Sequence, residues 1–119
     1  MKKKLSFLFL LAAPFFLPLQ SMAQGVTNQG NMQIHSGASL SSSLPFTNSS
    51  SATLMNNGNL YVRGDLTNHQ AGMTAGTGTL YFTGSAAQQL AGSSPMKTYH
   101  LVTDNTSGIT LNNDLSVSG

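Results

Sequence analysis

The sequence predicts an all-β chain: a parallel β-helix-like solenoid with coils of about 20 residues, behind a cleaved leader. Three observations predict it. "GNLYVRG" at 58–64 and "GTLYFTG" at 78–84 align without a gap, Gly58 on Gly78 and Gly64 on Gly84. Both stretches alternate apolar and polar side chains, the period of a strand with one face buried. After residue 23, no stretch carries a helical apolar period long enough to form a helix.

The leader comes first. Lys2, Lys3 and Lys4 precede an almost wholly apolar run from Leu5 to Leu19. Ser21-Met22-Ala23 then puts small residues at the two positions a signal peptidase reads. This is the pattern of a secretory signal peptide over 1–23, cleaved before Gln24, and it implies a secreted or outer-cell-surface location. The run is too short for a membrane span and is interrupted by Pro14 and Pro18, so no stable span is expected. No Cys stands at the cleavage point to carry a lipid.

The leader also holds most of the positive charge. The whole chain is formally +2, but residues 24–119 keep only Arg63 and Lys97 against Asp65, Asp104 and Asp114. No basic patch remains for nucleic acid. With no Cys, Trp or Glu, and with Gly, Ser, Thr and Asn dominant, this part fits one small turn-rich β domain without disulfides. The stretch 41–52 is rich in Ser.

The repeat defines the elements. In "NLYVRG", Leu60 and Val62 point one way and Tyr61 and Arg63 the other. In "TLYFTG", Leu80 and Phe82 take the inward places. Gly64 and Gly84 end each strand where a side chain would obstruct a corner. Leu40, Leu60 and Leu80 form one column, and Asn48, Asn68 and Gln88 form another. Thr47-Asn48 recurs as Thr67-Asn68, Phe46 as Leu66, and Ala71-Gly72 as Ala91-Gly92. If one repeat is one coil, the leucines make an interior ladder, Tyr61 stacks on Tyr81 outside, and the amides chain along a corner. The register weakens after Gly92, where Tyr99, Leu101 and Thr103 alternate instead. "GITLNNDLSVSG" alternates up to the final residue, with Ile109 and Leu111 on one face and Leu115 and Val117 on another. Residues 24–119 therefore read as the N-terminal part of a longer protein. The alternative architecture is an antiparallel β-sandwich or meander with one hairpin per repeat.

"NGNLYVRGDLTN", "GTGTLYFTGSAAQQLAG" and "NTSGITLNNDLSVSG" resemble the N-terminal repeats of large secreted surface proteins of Bacteroidetes-type bacteria, which are adhesin-like. The resemblance covers Asn56 to Gly119 best. It implies β-helix-like repeats and, in the family, a C-terminal sorting domain that this chain does not contain.

Candidate chemistry is sparse. His35, His69 and His100 have no ligand spacing, and a coil of the repeat's length does not place His69 over His35. Asp65, Asp104 and Asp114 could act as acids in polysaccharide cleavage, but nothing aligns them. "GMTAGTGTLYFTG" lacks the lysine and following helix of a phosphate loop. Thr77, Thr79 and Thr83 do not form the repeated column an ice-binding face needs. Asn48-Ser49-Ser50 and Asn105-Thr106-Ser107 match the glycosylation pattern, without meaning in a bacterial chain. Arg63-Gly64-Asp65 spells a tripeptide read by animal adhesion receptors, but Gly64 and Asp65 match Gly84 and Ser85, so a strand end and corner explain it.

The expectation is an exported structural or adhesive β-repeat segment, with no catalytic, metal or cofactor site. Its partners would be glycans or cell surfaces, reached through the longer parent, and it would self-associate through exposed solenoid ends. The competing expectation is the N-terminal fragment of a carbohydrate-active β-helix enzyme.

Overall fold

A computed structural model describes residues 24–119. The leader and its cleavage site lie outside the described residues. Within them the chain is all-β, winding as five coils. The first coil carries β1 (Val26–Asn28), β2 (Asn31–Ile34) and β3 (Ser39–Ser42). The second carries β4 (Phe46–Asn48), β5 (Thr53–Asn56) and β6 (Asn59–Val62). The third has β7 (Leu66–Asn68) and β8 (Thr79–Phe82), joined by a loop. The fourth has β9 (Gln88–Gly92), β10 (Met96–Thr98) and β11 (His100–Thr103), and the fifth β12 (Ile109–Leu111) and β13 (Leu115–Val117).

Each coil hydrogen-bonds to the next, and every strand pair is parallel. The antiparallel alternative is therefore excluded. The first face runs β1-β4-β7-β9-β12 and the third runs β3-β6-β8-β11. The second face is split into β2-β5 and β10-β13 by the loop of the third coil. Parallel strands ordinarily need a long crossover, and here the rest of the coil supplies it.

Stacking in register turns sequence columns into interior ladders. Leu40, Leu60, Leu80 and Leu101 lie opposite one another on the third face. Val26, Phe46, Leu66, Leu90 and Leu111 do so on the first. The middle rungs Phe46, Leu60, Leu66, Leu80 and Leu90 are fully buried. Only partly buried are Val26, Met32 and Leu40 at one end, and Leu101, Ile109 and Leu115 at the other. Burial of these two ladders thus falls off toward the terminal coils, as expected of a quasi-one-dimensional fold, although Ile34 in the first coil is buried.

One sequence column is corrected. Asn48 and Asn68 stack as expected, and Asn28 extends the column one coil earlier. Gln88 is not in it. Leu90, not Ala86, lies opposite Leu66, so the position opposite Asn68 is Gly92. The match of Ala71-Gly72 to Ala91-Gly92 is therefore coincidental in structural terms. The slip comes earlier than the sequence suggested. Phe82 still faces Val62 at the spacing of the repeat, whereas Leu66 has already passed over Ala86 to face Leu90. The extra residues therefore enter around Gly84–Gln88. The fourth coil then crosses its second face in fewer residues, and Leu101 returns to the leucine ladder opposite Leu80. The alternation read at Leu101 and Thr103 fits this register, with Thr103 opposite Phe82.

Candidate functional site

The corner between the first and second faces is held by an amide spine. The Asn28 side-chain N–H donates to Asn48 Oδ1 at 2.9 Å, and Asn48 donates in turn to Asn68 Oδ1 at 2.9 Å. Asn68 Nδ2 then donates to the Pro95 and Ser94 carbonyls at 2.9 and 3.2 Å. Gly92 has no side chain to continue the chain of amides, but Asn113 Nδ2 donates to the same Ser94 carbonyl. Gly92 itself sits at φ +129°, and a Cβ there would collide with the Asn68 backbone. Gln70, from the third-coil loop, adds a branch. Its Oε1 accepts from Asn48 Nδ2 at 2.8 Å and from the Leu54 amide at 2.9 Å, satisfying a strand edge that no neighbouring strand covers there. Asn48 and Asn68 are fully buried, so these groups serve the fold.

Gln88 performs a related task at the opposite corner. Its Nε2 donates to the Val62 and Gly64 carbonyls at 2.9 and 2.6 Å. Its Oε1 accepts from the Gly84 amide and from Asn105 Nδ2, both at 2.8 Å. One side chain thereby ties the slipped turn to the coils above and below. Asn105, in the second glycosylation pattern, also donates to the Ala86 carbonyl at 2.8 Å.

Arg63-Gly64-Asp65 spans the end of β6 and this same corner. A Cβ on Gly64 would lie 2.6 Å from the Pro45 nitrogen and 2.7 Å from the Leu44 carbonyl carbon. The glycine is there because the previous coil passes too close for a side chain. Asp65 Oδ1 accepts the Gln89 amide at 2.9 Å, and its backbone carbonyl accepts the Phe46 amide at 2.8 Å. Arg63 is exposed, and its amide bonds to the Ser42 carbonyl at 2.9 Å. Each residue has a place in the coil independent of any receptor.

The histidines are not brought together. His35 is exposed at the turn after β2, and His100 meets the Tyr99 ring edge-on at 4.6 Å. His69 Nδ1 lies 2.9 Å from Ser93 Oγ. Asp65 and Asp104 lie at the corner after the third face, in different coils, and Asp114 precedes β13. Among the described residues no group of three or more such side chains could hold a metal ion.

Two outward features remain. A threonine column, Thr27-Thr47-Thr67, climbs the first face, of which the sequence repeat had paired Thr47 with Thr67 but not reached Thr27. On the third face Tyr61 and Tyr81 stack with ring centroids 4.3 Å apart and planes 15° from parallel. The Tyr61 hydroxyl titrates above the usual tyrosine range, first because its surroundings desolvate it and second because the Tyr81 hydroxyl stands beside it. At the far end of the interior, Phe82, Leu101, Ile109, Leu111 and Leu115 line an open concavity of about 370 Å³. Comparison with protein-family models, curated proteins and solved structures gives no match.

Proposed function

We propose that this chain is an exported structural or adhesive β-repeat segment of a bacterial cell-surface or secreted protein, without catalysis. The observation that carries the reading is where the polar chemistry goes. The buried amides of Asn28, Asn48, Asn68 and Gln88 are spent on backbone and on one another. The few charged side chains do not converge: Arg63 and Asp65 share one corner with Asp104, which lies two coils further on, and Lys97 and Asp114 lie beside the second face. A rigid rod with hydroxyl- and amide-bearing faces suits display and attachment. The leader supplies the route out of the cell.

The test is expression of the full reading frame with its own leader in a bacterial host, followed by fractionation and intact-mass measurement. The expected product is exported, begins at Gln24 and releases no reducing ends from polysaccharides. A cytoplasmic product that still carries Lys2 to Lys4 would overturn the export reading. Polysaccharide cleavage by the purified protein would establish the carbohydrate-active enzyme instead.

A further inference from the structure

Gln70 has only one end of its amide in use. Its Oε1 accepts from the Leu54 N–H at 2.9 Å and from Asn48 Nδ2 at 2.8 Å. A backbone N–H can only donate, so that orientation is fixed and Nε2 points the other way. Nε2 bonds to no group among the described residues, although Gln70 is only 9% exposed. Thr83 Oγ1 is the sole enclosed side-chain oxygen or nitrogen among those residues that lacks a partner, so Gln70 Nε2 is not enclosed. It opens into a groove of about 390 Å³ that Gln70 helps to line.

The groove lies over the outer side of β2 and β5, against the third-coil loop. Asn31 stands opposite Thr53 and Gln33 opposite Met55 on the two strands, and Thr74 joins them from the loop. Thr53 Oγ1 donates to Asn31 Oδ1 at 2.8 Å, which leaves Asn31 Nδ2 and the exposed Gln33 amide for a ligand. Met55 adds an apolar contact, its sulfur 3.6 Å from Thr74 Oγ1. Neither β2, β5 nor residues 70–78 carry an ionisable side chain. The neighbouring ones are His35, exposed after β2, and His69, whose Nδ1 meets Ser93. Lys97 is on β10, beyond the loop, and Arg63 follows β6 on the third face. No guanidinium or ammonium lines the groove, so a carboxylate would find no cation among the lining groups. The spare donor of a largely buried amide calls instead for an uncharged acceptor, a carbonyl oxygen.

We propose that this groove binds the acetamido group of an N-acetylhexosamine residue in a glycan. This names a ligand for the adhesive half of the proposed function and rests on it. The acetamido carbonyl accepts from Gln70 Nε2, its methyl group lies on Met55, and the ring hydroxyls bond to Asn31, Gln33 and Thr74. A glycan suits the groove better than a peptide, because Gln70 itself occupies the edge of β5 at Leu54 and the groove offers side chains rather than a row of backbone groups. The volume lies at the small end of the range for ligand pockets, room for about one sugar residue.

The experiment titrates the purified chain by calorimetry with chitotriose, with cellotriose, which lacks the acetamido groups, with trigalacturonate as a charged comparison, and with N-acetyltrialanine amide as a peptide. Chitotriose is expected to bind at least tenfold more tightly than each of the others. In NMR of isotope-labelled methionine methyl groups, the Met55 signal, assigned through Met55→Leu, should move and show a nuclear Overhauser contact to the acetyl methyl. Gln70→Glu is the decisive variant, because it keeps both accepted bonds and replaces the Nε2 donor by an acceptor oxygen. It should bind chitotriose at least tenfold more weakly with its β-sheet circular dichroism retained, and if it does not fold, the Met55 contact decides alone. Ser41→Tyr, on the third face, should leave binding unchanged. The site is overturned if chitotriose does not bind, water alone then serving Gln70, or if cellotriose, trigalacturonate or the peptide binds as tightly. It is equally overturned if the Met55 signal does not move, if folded Gln70→Glu binds like the parent, or if Ser41→Tyr weakens binding as much. None of these results bears on export, which the mass measurement decides separately.

Discussion

Asn48 is the residue on which most of the corner depends. Its side chain accepts from Asn28 and donates to both Asn68 and Gln70, all away from water. Asn48→Ala removes three buried hydrogen bonds, although Asn28 Nδ2 keeps the Thr53 carbonyl, Asn68 Oδ1 the Gln70 amide and Gln70 Oε1 the Leu54 amide. At about 1 kcal/mol per bond, a loss of roughly 3 kcal/mol is expected in urea unfolding. Asn59→Ala, at an outward, half-buried position with one long bond, should stay within about 0.5 kcal/mol of the parent. The same scale settles the adhesion tripeptide. Gly64→Val drives a branched side chain into the Leu44-Pro45 backbone and should impair folding, seen as a loss of β-sheet circular dichroism. Asp65→Glu should leave any attachment of animal cells unchanged. A marked loss of attachment in a folded Asp65→Glu protein would restore the receptor-ligand reading.

At the scale of elements, what was legible in the sequence follows from what kept a constant spacing. The third face keeps the spacing of the repeat through β3, β6 and β8, so its leucine ladder and tyrosine stack could be read directly. The first face keeps the same spacing from β1 to β7, and the recurring triplets "VTN", "FTN" and "LTN" were the signal that would have added Asn28 and the threonine column. The second face was illegible because Asn31 pairs with Thr53, off the spacing of the repeat, and the third coil has no strand there at all. Gln88 misled for a related reason. It falls at the right spacing for the asparagine column, but the turn before it is lengthened, and its amide serves a different corner. Gln88→Ala should therefore cost about 2 kcal/mol by leaving the Gly84 N–H and the Gly64 carbonyl without this partner, the Val62 carbonyl keeping the Thr83 amide, while the exposed Gln89→Ala stays near neutral. The third-coil loop has only Gln70, Met73 and Gly78 buried, between more exposed neighbours. Hydrogen exchange should find amides 71–77 opening well before those of β6 and β8.

For the whole molecule, stability comes from neighbours stacked along one axis. Three or more coils are needed before burial outweighs chain entropy, and the terminal coils contribute least. The fifth coil leaves Leu111 at 55% and Val117 at 44% exposure, beside strand edges that no described residue covers. No lysine or arginine lies on β12 or β13 to discourage another chain from adding there. Residues 24–119 are therefore expected to unfold broadly and to associate as concentration rises, in sedimentation and in melts at several concentrations. A sharp, concentration-independent melt of a monomer would show that the ends are closed in solution.

The ladders, the amide spine and the tyrosine stack all require parallel, in-register coils, and one pair of cross-links tests that most directly. The chain has no cysteine of its own, so introduced pairs are unambiguous. Asn59 and Thr79 face each other on adjacent rungs in the parallel register, while Asn59 and Thr83 are out of step by the length of a strand. An antiparallel hairpin centred on Tyr61 and Tyr81 reverses the two relationships. Adjacent rungs fall within the roughly 4.4–6.8 Å between Cα atoms that a disulfide spans. On mild oxidation the double variant Asn59→Cys with Thr79→Cys should cross-link readily within one chain, and Asn59→Cys with Thr83→Cys should not. The opposite pattern would contradict the solenoid.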